Sequence, residues 1–389
     1  MTVHTSHSVN ATPSSYLRTE RACLERLLPG LDSELEELGF DRLERTDGLG
    51  IGVVKKYGGV GLCIPKTYGG IGATPLECAQ VQRAIGSRSP AAAVATAMHH
   101  FTVATLVELA SRDAGLDWLL LEAIARNHLY VASGFAEGEP NGKILRPSMV
   151  LERSAGGFLV TGVKRPCSLS KSMDLMSVSV VVPGEGGPED DRLAVALIAA
   201  RSPGITVGPY WANNILAAAE TGTVRFDRVA VDPKMLSYSG HPNSLDHIQT
   251  RGLIWFQLLI SASYLGVASA LAERVVRSGR ASHSDMAQLG VDLEGSMATL
   301  GGIALVLESG ESSSAALAQS LFARYSIQRS IDRATALAFE LGGGRDFACS
   351  GEASYLVAAA RGLNFHPPSR PAMAAPLGAY LEGHGLYEI

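Results

Sequence analysis

The chain has 389 residues, 46% of them apolar and 18% charged, with a formal net charge of −5. That length exceeds one simple core and predicts two or three domains, with enough apolar residues to fill them. The near-neutral balance, with no cluster of Lys and Arg, excludes the electrostatic footprint of a nucleic-acid binder or of a protein held to an anionic membrane.

The polar N-terminus MTVHTSHSVNATPSS lacks the basic-then-apolar order of a signal peptide and is expected to be a frayed tail. From Tyr16 to about Thr46, Leu24, Leu28, Leu31 and Leu35 recur at helical spacing among Glu and Arg. The stretch from Gly58 to Gly72 is punctuated by glycine and reads as loop and turn. Thr74-Pro75-Leu76-Glu77 then carries the marks of a helix start: a Thr cap, Pro at the first position and a following Glu. Ala-rich helix is predicted onward to about Asn127.

The character changes after Tyr130. Short β-branched runs (MVLERS, FLVTGVKRP, LMSVSVVV, RLAVALIAA, ETGTVRFDRVAVD) alternate with turns as far as Tyr238 and predict an antiparallel β domain. From His247 to about Leu363 the pattern returns to long helices with short connections, as in a four-helix bundle. Within it, Gly252 to Ala272 is apolar for about the length of a bilayer crossing. Gln257, Ser261, Ser263 and the small residues Ala262, Gly266 and Ala270 instead predict a helix enclosed by other helices. The tail HPPSRPAMAAP is expected to be extended where it begins. The fold class is therefore α+β: an N-terminal helical domain over 1–129, a middle β domain over 130–240, and a C-terminal helical bundle with its tail over 241–389. Five scattered cysteines without a CxxC pair argue against a disulfide framework or a zinc site and predict a cytoplasmic protein.

Four strings, in order and suitably spaced, resemble the acyl-CoA dehydrogenase superfamily over nearly the whole chain. Ile64-Pro65-Lys66-Thr67-Tyr68-Gly69-Gly70-Ile71-Gly72 is similar to its P-x-x-Y-G-G-x-G loop. Gly156-Gly157 through Gly162-Val163-Lys164 is similar to the hairpin of its flavin-binding domain. Thr223 to Val231 is similar to the strand that closes that domain, and Gly342-Gly343 to the glycine pair that ends a bundle helix. The resemblance implies a flavin, FAD or FMN in its place, lying against the β domain. It puts Pro166, Cys167, Ser168 and Leu169 at the isoalloxazine, with Ser168 as the hydroxyl near N5, where oriented dipoles in a dry site are worth most. It also implies a homo-oligomer, dimer or tetramer, whose neighbouring subunit sends an arginine to the cofactor phosphates. The usual R-x-x-F-G motif is not visible, and Arg277 or Arg280 stands in that region.

The same resemblance exposes a gap. Dehydrogenating an acyl thioester needs a carboxylate to take the Cα proton. The family places that glutamate either in the loop after the glycine pair, which here counts to Pro367, or on the first bundle helix, which here counts to Phe256 beside Gln257. A sister branch, flavin-dependent monooxygenases, takes reduced flavin from a separate reductase, reacts it with oxygen, and uses histidines with a Ser or Thr instead. Ala360-Arg361 through His366-Pro367 is similar to the A-R-x-x-x-x-H-x-P of some of these hydroxylases. His100 and His366 are thus the expected acid/base groups, and Ser168 the residue steadying the flavin, with His99 a weaker candidate. Two alternatives stand beside an oxygen-using hydroxylase or atypical dehydrogenase acting on a small molecule. One is a thioester dehydrogenase, passing electrons to an electron-transfer flavoprotein, whose base is displaced to Glu137 or Glu139. The other is a flavin-free scaffold or carrier-binding protein.

Overall fold

In a computed structural model of the chain, residues 16–45, 48–111, 117–138, 147–239 and 246–386 are described, so the N-terminal tail and Glu139 lie outside them. The N-terminal part holds α1 (Arg18–Leu27), α2 (Leu31–Leu38), α3 (Phe40–Arg45), α4 (Leu49–Lys56), α5 (Pro75–Arg88), α6 (Pro90–Ala110) and α7 (Asp117–Arg126). The apolar periodicity over 16–46 is carried by three short helices. Gly30 at φ 86° and Gly39 at φ 75° occupy left-handed backbone that ends each turn. The start of α5 is as expected: Thr74 Oγ1 accepts from Glu77 N at 3.3 Å, and the Glu77 carboxylate accepts from Thr74 N at 2.8 Å.

The middle part has two four-stranded sheets. One is ordered β1 (Val131–Gly134), β4 (Leu175–Val182), β5 (Arg192–Ala199), β8 (Leu236–Tyr238). The other is ordered β2 (Leu151–Ser154), β3 (Gly157–Cys167), β7 (Gly222–Val231), β6 (Ile205–Pro209). The expectation of a wholly antiparallel domain needs one correction, because β1 and β4 pair in parallel. After β1 the chain leaves to build β2 and β3 in the other sheet, and it re-enters beside β1 in the same direction.

The C-terminal part comprises α8 (His247–Ser278), α9 (His283–Glu308), α10 (Ser314–Cys349), α11 (Gly351–Ala360) and α12 (Arg370–Leu381). Asp246 opens α8 with a capping box to Gln249, and Gly279 at φ 63° closes it. Every residue of α8 from Thr250 to Glu273 is buried, so its apolar run is spent inside the protein. A small-residue contact brings α5 against α8: a methyl group on Gly86 would stand 2.4 Å from the Ser263 carbonyl, and one on Gly266 2.3 Å from the Arg83 carbonyl. The glycine pair interrupts α10 rather than ending it, since Gly343 is non-helical at φ 76° and helix resumes beyond it. Likewise the proline-rich tail is extended at His366 but becomes helical from Arg370, where Ser369 caps α12.

Candidate active site

A cavity of about 850 Å³ lies between α6, the first sheet, the end of β3 and α8. Its bundle wall is one face of α8: Leu253, Gly252, Gln249 and Tyr264 stand three, four, seven and eight residues from Phe256, the helical repeat. Facing it, α6 contributes Met98, Phe101, Thr102 and Thr105. The sheet side is different in kind, with the hydroxyls of Ser133, Ser177, Ser168 and Thr221 along an otherwise apolar wall.

The register of β3 explains how Ser168 arrives there. Its ladder with β7 slips between Lys164 and Cys167, and Cys167 pairs with Gly222. Beyond that slip Pro166 and Ser168 face the cavity, while Cys167 and Leu169 are buried away from it. The Ser168 and Thr221 hydroxyls sit 3.0 Å apart. Burial pushes the Cys167 thiol up to about 12, so it is an inert core group. The Leu169 N–H donates to the Ala219 carbonyl at 3.1 Å, which removes it as a donor to a cofactor.

His100 must be corrected. It is not in the cavity wall: its ring is buried behind α6, with both nitrogens engaged. Nε2 lies 3.0 Å from the Gly59 carbonyl and so carries the proton, which leaves Nδ1 to accept from the Gln82 amide at 3.0 Å. His99 is held the same way, donating to the Val60 carbonyl at 2.9 Å and accepting from Val131 N at 2.9 Å. Protonating either ring would set N–H against N–H, and burial lowers His99 to about 3 and His100 to about 4. They tie α6 to the 59–60 turn, and His99 also to β1.

His366, by contrast, is in the wall, next to Pro367. Its ring is 6.1 Å from that of Phe256 and 5.4 Å from that of Tyr264, and Nε2 lies 2.9 Å from the Tyr264 hydroxyl. Burial, reinforced by the Arg324 charge, lowers it to about 3, so the imidazole is neutral at neutral pH. The expected acid/base role narrows accordingly: His366 offers a neutral ring, not a stored proton. Arg324 lies behind it, fully buried, and no carboxylate among the described residues pairs with it. It donates instead to Gln257 Oε1 at 2.8 Å and to the carbonyls of Leu363, His366, Pro367 and Pro368 at 2.5 to 3.3 Å.

Phe256 and Pro367, the two positions where a thioester dehydrogenase needs its glutamate, therefore both face the cavity beside His366. Among the described residues only Asp117 and Asp246 bring carboxylates to its wall. Asp246 is ten residues before Phe256, about 15 Å along the helix axis, and caps α8. Glu137 does not reach the cavity wall; its carboxylate takes the Lys164 ammonium at 2.7 Å and the Ser148 N–H. Arg280 and Gly342 line a second cavity of about 290 Å³ with Arg274 and Arg277, apart from the first, with Gly343 next along the chain. Sequence reasoning missed Tyr264, Thr221 and Arg324. Of these, Tyr264 alone left a trace, as a phenol on the Phe256 face of an otherwise apolar helix.

No family model matches the chain. Isobutylamine N-hydroxylase of Streptomyces viridifaciens is 39% identical over 375 residues, covering 95% of this chain and 99% of that protein. Among solved structures, nitrososynthase from Micromonospora carbonacea var. africana superposes with a TM-score of 0.77 at 20% identity, covering 96% of this chain and 98% of the other. TdsC from Paenibacillus sp. A11-2, in complex with FMN and indole, superposes with a TM-score of 0.75 at 18% identity, covering 96% and 98%.

Proposed function

The chain belongs to the flavin-dependent monooxygenases built on the acyl-CoA dehydrogenase fold, and from that premise we propose that it N-hydroxylates an apolar primary amine, using dioxygen and reduced flavin. The observation that carries this reading is the trio at the cavity wall: Phe256 and Pro367 where a dehydrogenase has its base, and a neutral His366 beside them. A site without a carboxylate at those positions is poorly equipped to take a proton from carbon, whereas an amine nitrogen offers a lone pair and needs no such base.

The residues suit a flavin. Pro166, Ser168 and Thr221 form an apolar wall edged with hydroxyls, matched to a flat ring whose rim is polar, with Ser133 and Ser177 further along the same side. When bound and reduced, the flavin supplies two electrons and activates the oxygen. The overall change is R–NH2 + O2 + 2 electrons + 2 protons giving R–NHOH + H2O: an N–O bond forms, the O–O bond breaks, and the second oxygen leaves as water. The protein's part is selection and exclusion. The apolar faces of α6 and α8 desolvate the substrate, and with the Arg324 charge behind His366 they favour the free amine over the ammonium, freeing the lone pair. His366 holds the reacting polar atoms by hydrogen bonding, and Ser168 with Thr221 steadies the ring.

A separate reductase delivers the reduced flavin in this proposal, and the five free cysteines suit the cytoplasm. A second copy of the chain covers α9, whose apolar stretch is only 39% buried although its hydropathy would suit a membrane span, with Val291 and Leu305 exposed. The test is to supply reduced FMN, dioxygen and a series of alkylamines and to quantify hydroxylamine. Amine-dependent product is expected; flavin oxidation that yields peroxide alone with every amine would refute the proposal.

A further inference from the structure

Among the described residues, one side chain hydrogen-bonds to the imidazole of His366: the hydroxyl of Tyr264, 2.9 Å from Nε2. Both residues line the main cavity. The phenol is seated with little freedom. Tyr264 lies mid-way along α8, inside its fully buried run, and Gly362 opposes it so closely that a methyl group there would stand 2.4 Å from the hydroxyl and 2.8 Å from the ring. The loop that carries His366 is fixed just as firmly, by the Arg324 guanidinium on four of its carbonyls and by the Tyr325 hydroxyl donating to Pro368 O at 2.8 Å.

We propose that Tyr264 is the positioning residue for His366: its O–H donates to Nε2, fixes the ring plane, and confines the imidazole proton to Nδ1, so that His366 meets the reacting atoms as a hydrogen-bond donor. Two facts set the direction of that bond. No other partner for the Tyr264 hydroxyl is found among the described residues, so the phenol proton has Nε2 as its acceptor. Burial also raises the Tyr264 hydroxyl above its ordinary value, so it keeps that proton. An unheld imidazole in a cavity this size would populate both tautomers and several rotamers, and a donor misplaced by an ångström loses most of its effect on a reaction.

The inference rests on the hydroxylase reading for its kinetic arm and on the protein alone for its spectroscopic arm. With reduced FMN, dioxygen and amine, Tyr264→Phe is expected to lower kcat at least about tenfold while KM stays within about threefold, with peroxide replacing the lost hydroxylamine. Because Tyr264 acts through His366, the double variant Tyr264→Phe/His366→Phe should be no slower than His366→Phe alone. Additive losses, or a Tyr264→Phe enzyme within about twofold of wild type, would overturn the proposal. Nitrogen-15 spectra of the labelled protein, assigned with His366→Phe, should show the Nδ1–H tautomer for His366 and lose that preference in Tyr264→Phe. An Nε2–H ring in the wild type overturns the proposal whether or not any amine is hydroxylated. A wild type that oxidises no amine, with the Nδ1–H form intact, would instead sink the functional reading and leave Tyr264 in place.

Discussion

Lowering the pH from about 7 to about 5 should weaken this protein far more than a typical one, because three buried histidines resist charging. Burial holds His99 at about 3, His100 at about 4 and His366 at about 3, against 6.5 for an exposed ring. The sign follows from linkage. Below about pH 6.5 the unfolded chain takes up protons that the folded one refuses, so stability is complete above that value and drains away toward the folded values near 3 to 4. Each ring costs about 1.8 kcal/mol over that interval, or about 5 kcal/mol for three, a large part of a domain's total stability. Glu44 acts in the opposite direction. Glu44 is buried among Ser89, Ala91 N and Tyr355, and burial raises its carboxyl, so its protonation returns part of the loss as the pH falls. Urea unfolding followed by circular dichroism at the two pH values measures the difference, and His100→Gln removes one ring from the sum. Unchanged midpoints between the two pH values, or a His100→Gln protein as acid-sensitive as the wild type, would refute the claim that these imidazoles are locked neutral.

His366→Phe should cut hydroxylamine formation about a hundredfold with flavin affinity unchanged, whereas His100→Gln should lose stability and keep its rate within about threefold; parallel steady-state assays and flavin titrations separate the two. Ser168→Ala should weaken flavin binding about tenfold, the worth of one hydrogen bond in a dry wall, as read from flavin fluorescence titration. Gly266→Ala drives a methyl group to 2.3 Å from the Arg83 carbonyl and should destabilise the protein by about 3 kcal/mol in denaturant unfolding, because neither backbone can move aside in the α5–α8 contact.

Local chemistry wrote much of this fold plainly into the sequence. The cap at Thr74, the start of α8 at His247 and the hairpin at Gly156-Gly157 follow from residues whose own bonds decide the outcome. The short strands β1, β6 and β8 were not legible, because three to five residues carry no periodicity of their own and are fixed by partners far along the chain. The site divides in the same way. Ser168 and His366 could be reached by motif, and the blank positions Phe256 and Pro367 by counting. His100 was misplaced because a histidine on an apolar helix looks identical whether it faces a cavity or a turn carbonyl, and only the Gly59 carbonyl across the interface decides which. Arg324 shows the limit most clearly. Nothing local marks it, since all but one of its partners are backbone carbonyls about 40 residues away, and carbonyls have no sequence signature.

The central claim is that the nitrogen of a substrate amine captures an oxygen atom from O2 in a cavity where no carboxylate of the described residues stands beside His366. Single turnover of the reduced holoenzyme with isotopically labelled dioxygen tests it most directly. The account predicts hydroxylamine bearing one labelled oxygen per flavin oxidised, and no bleaching of oxidised flavin by an acyl thioester under anaerobic conditions. Anaerobic bleaching by a thioester, with no labelled oxygen in any amine product, would contradict it.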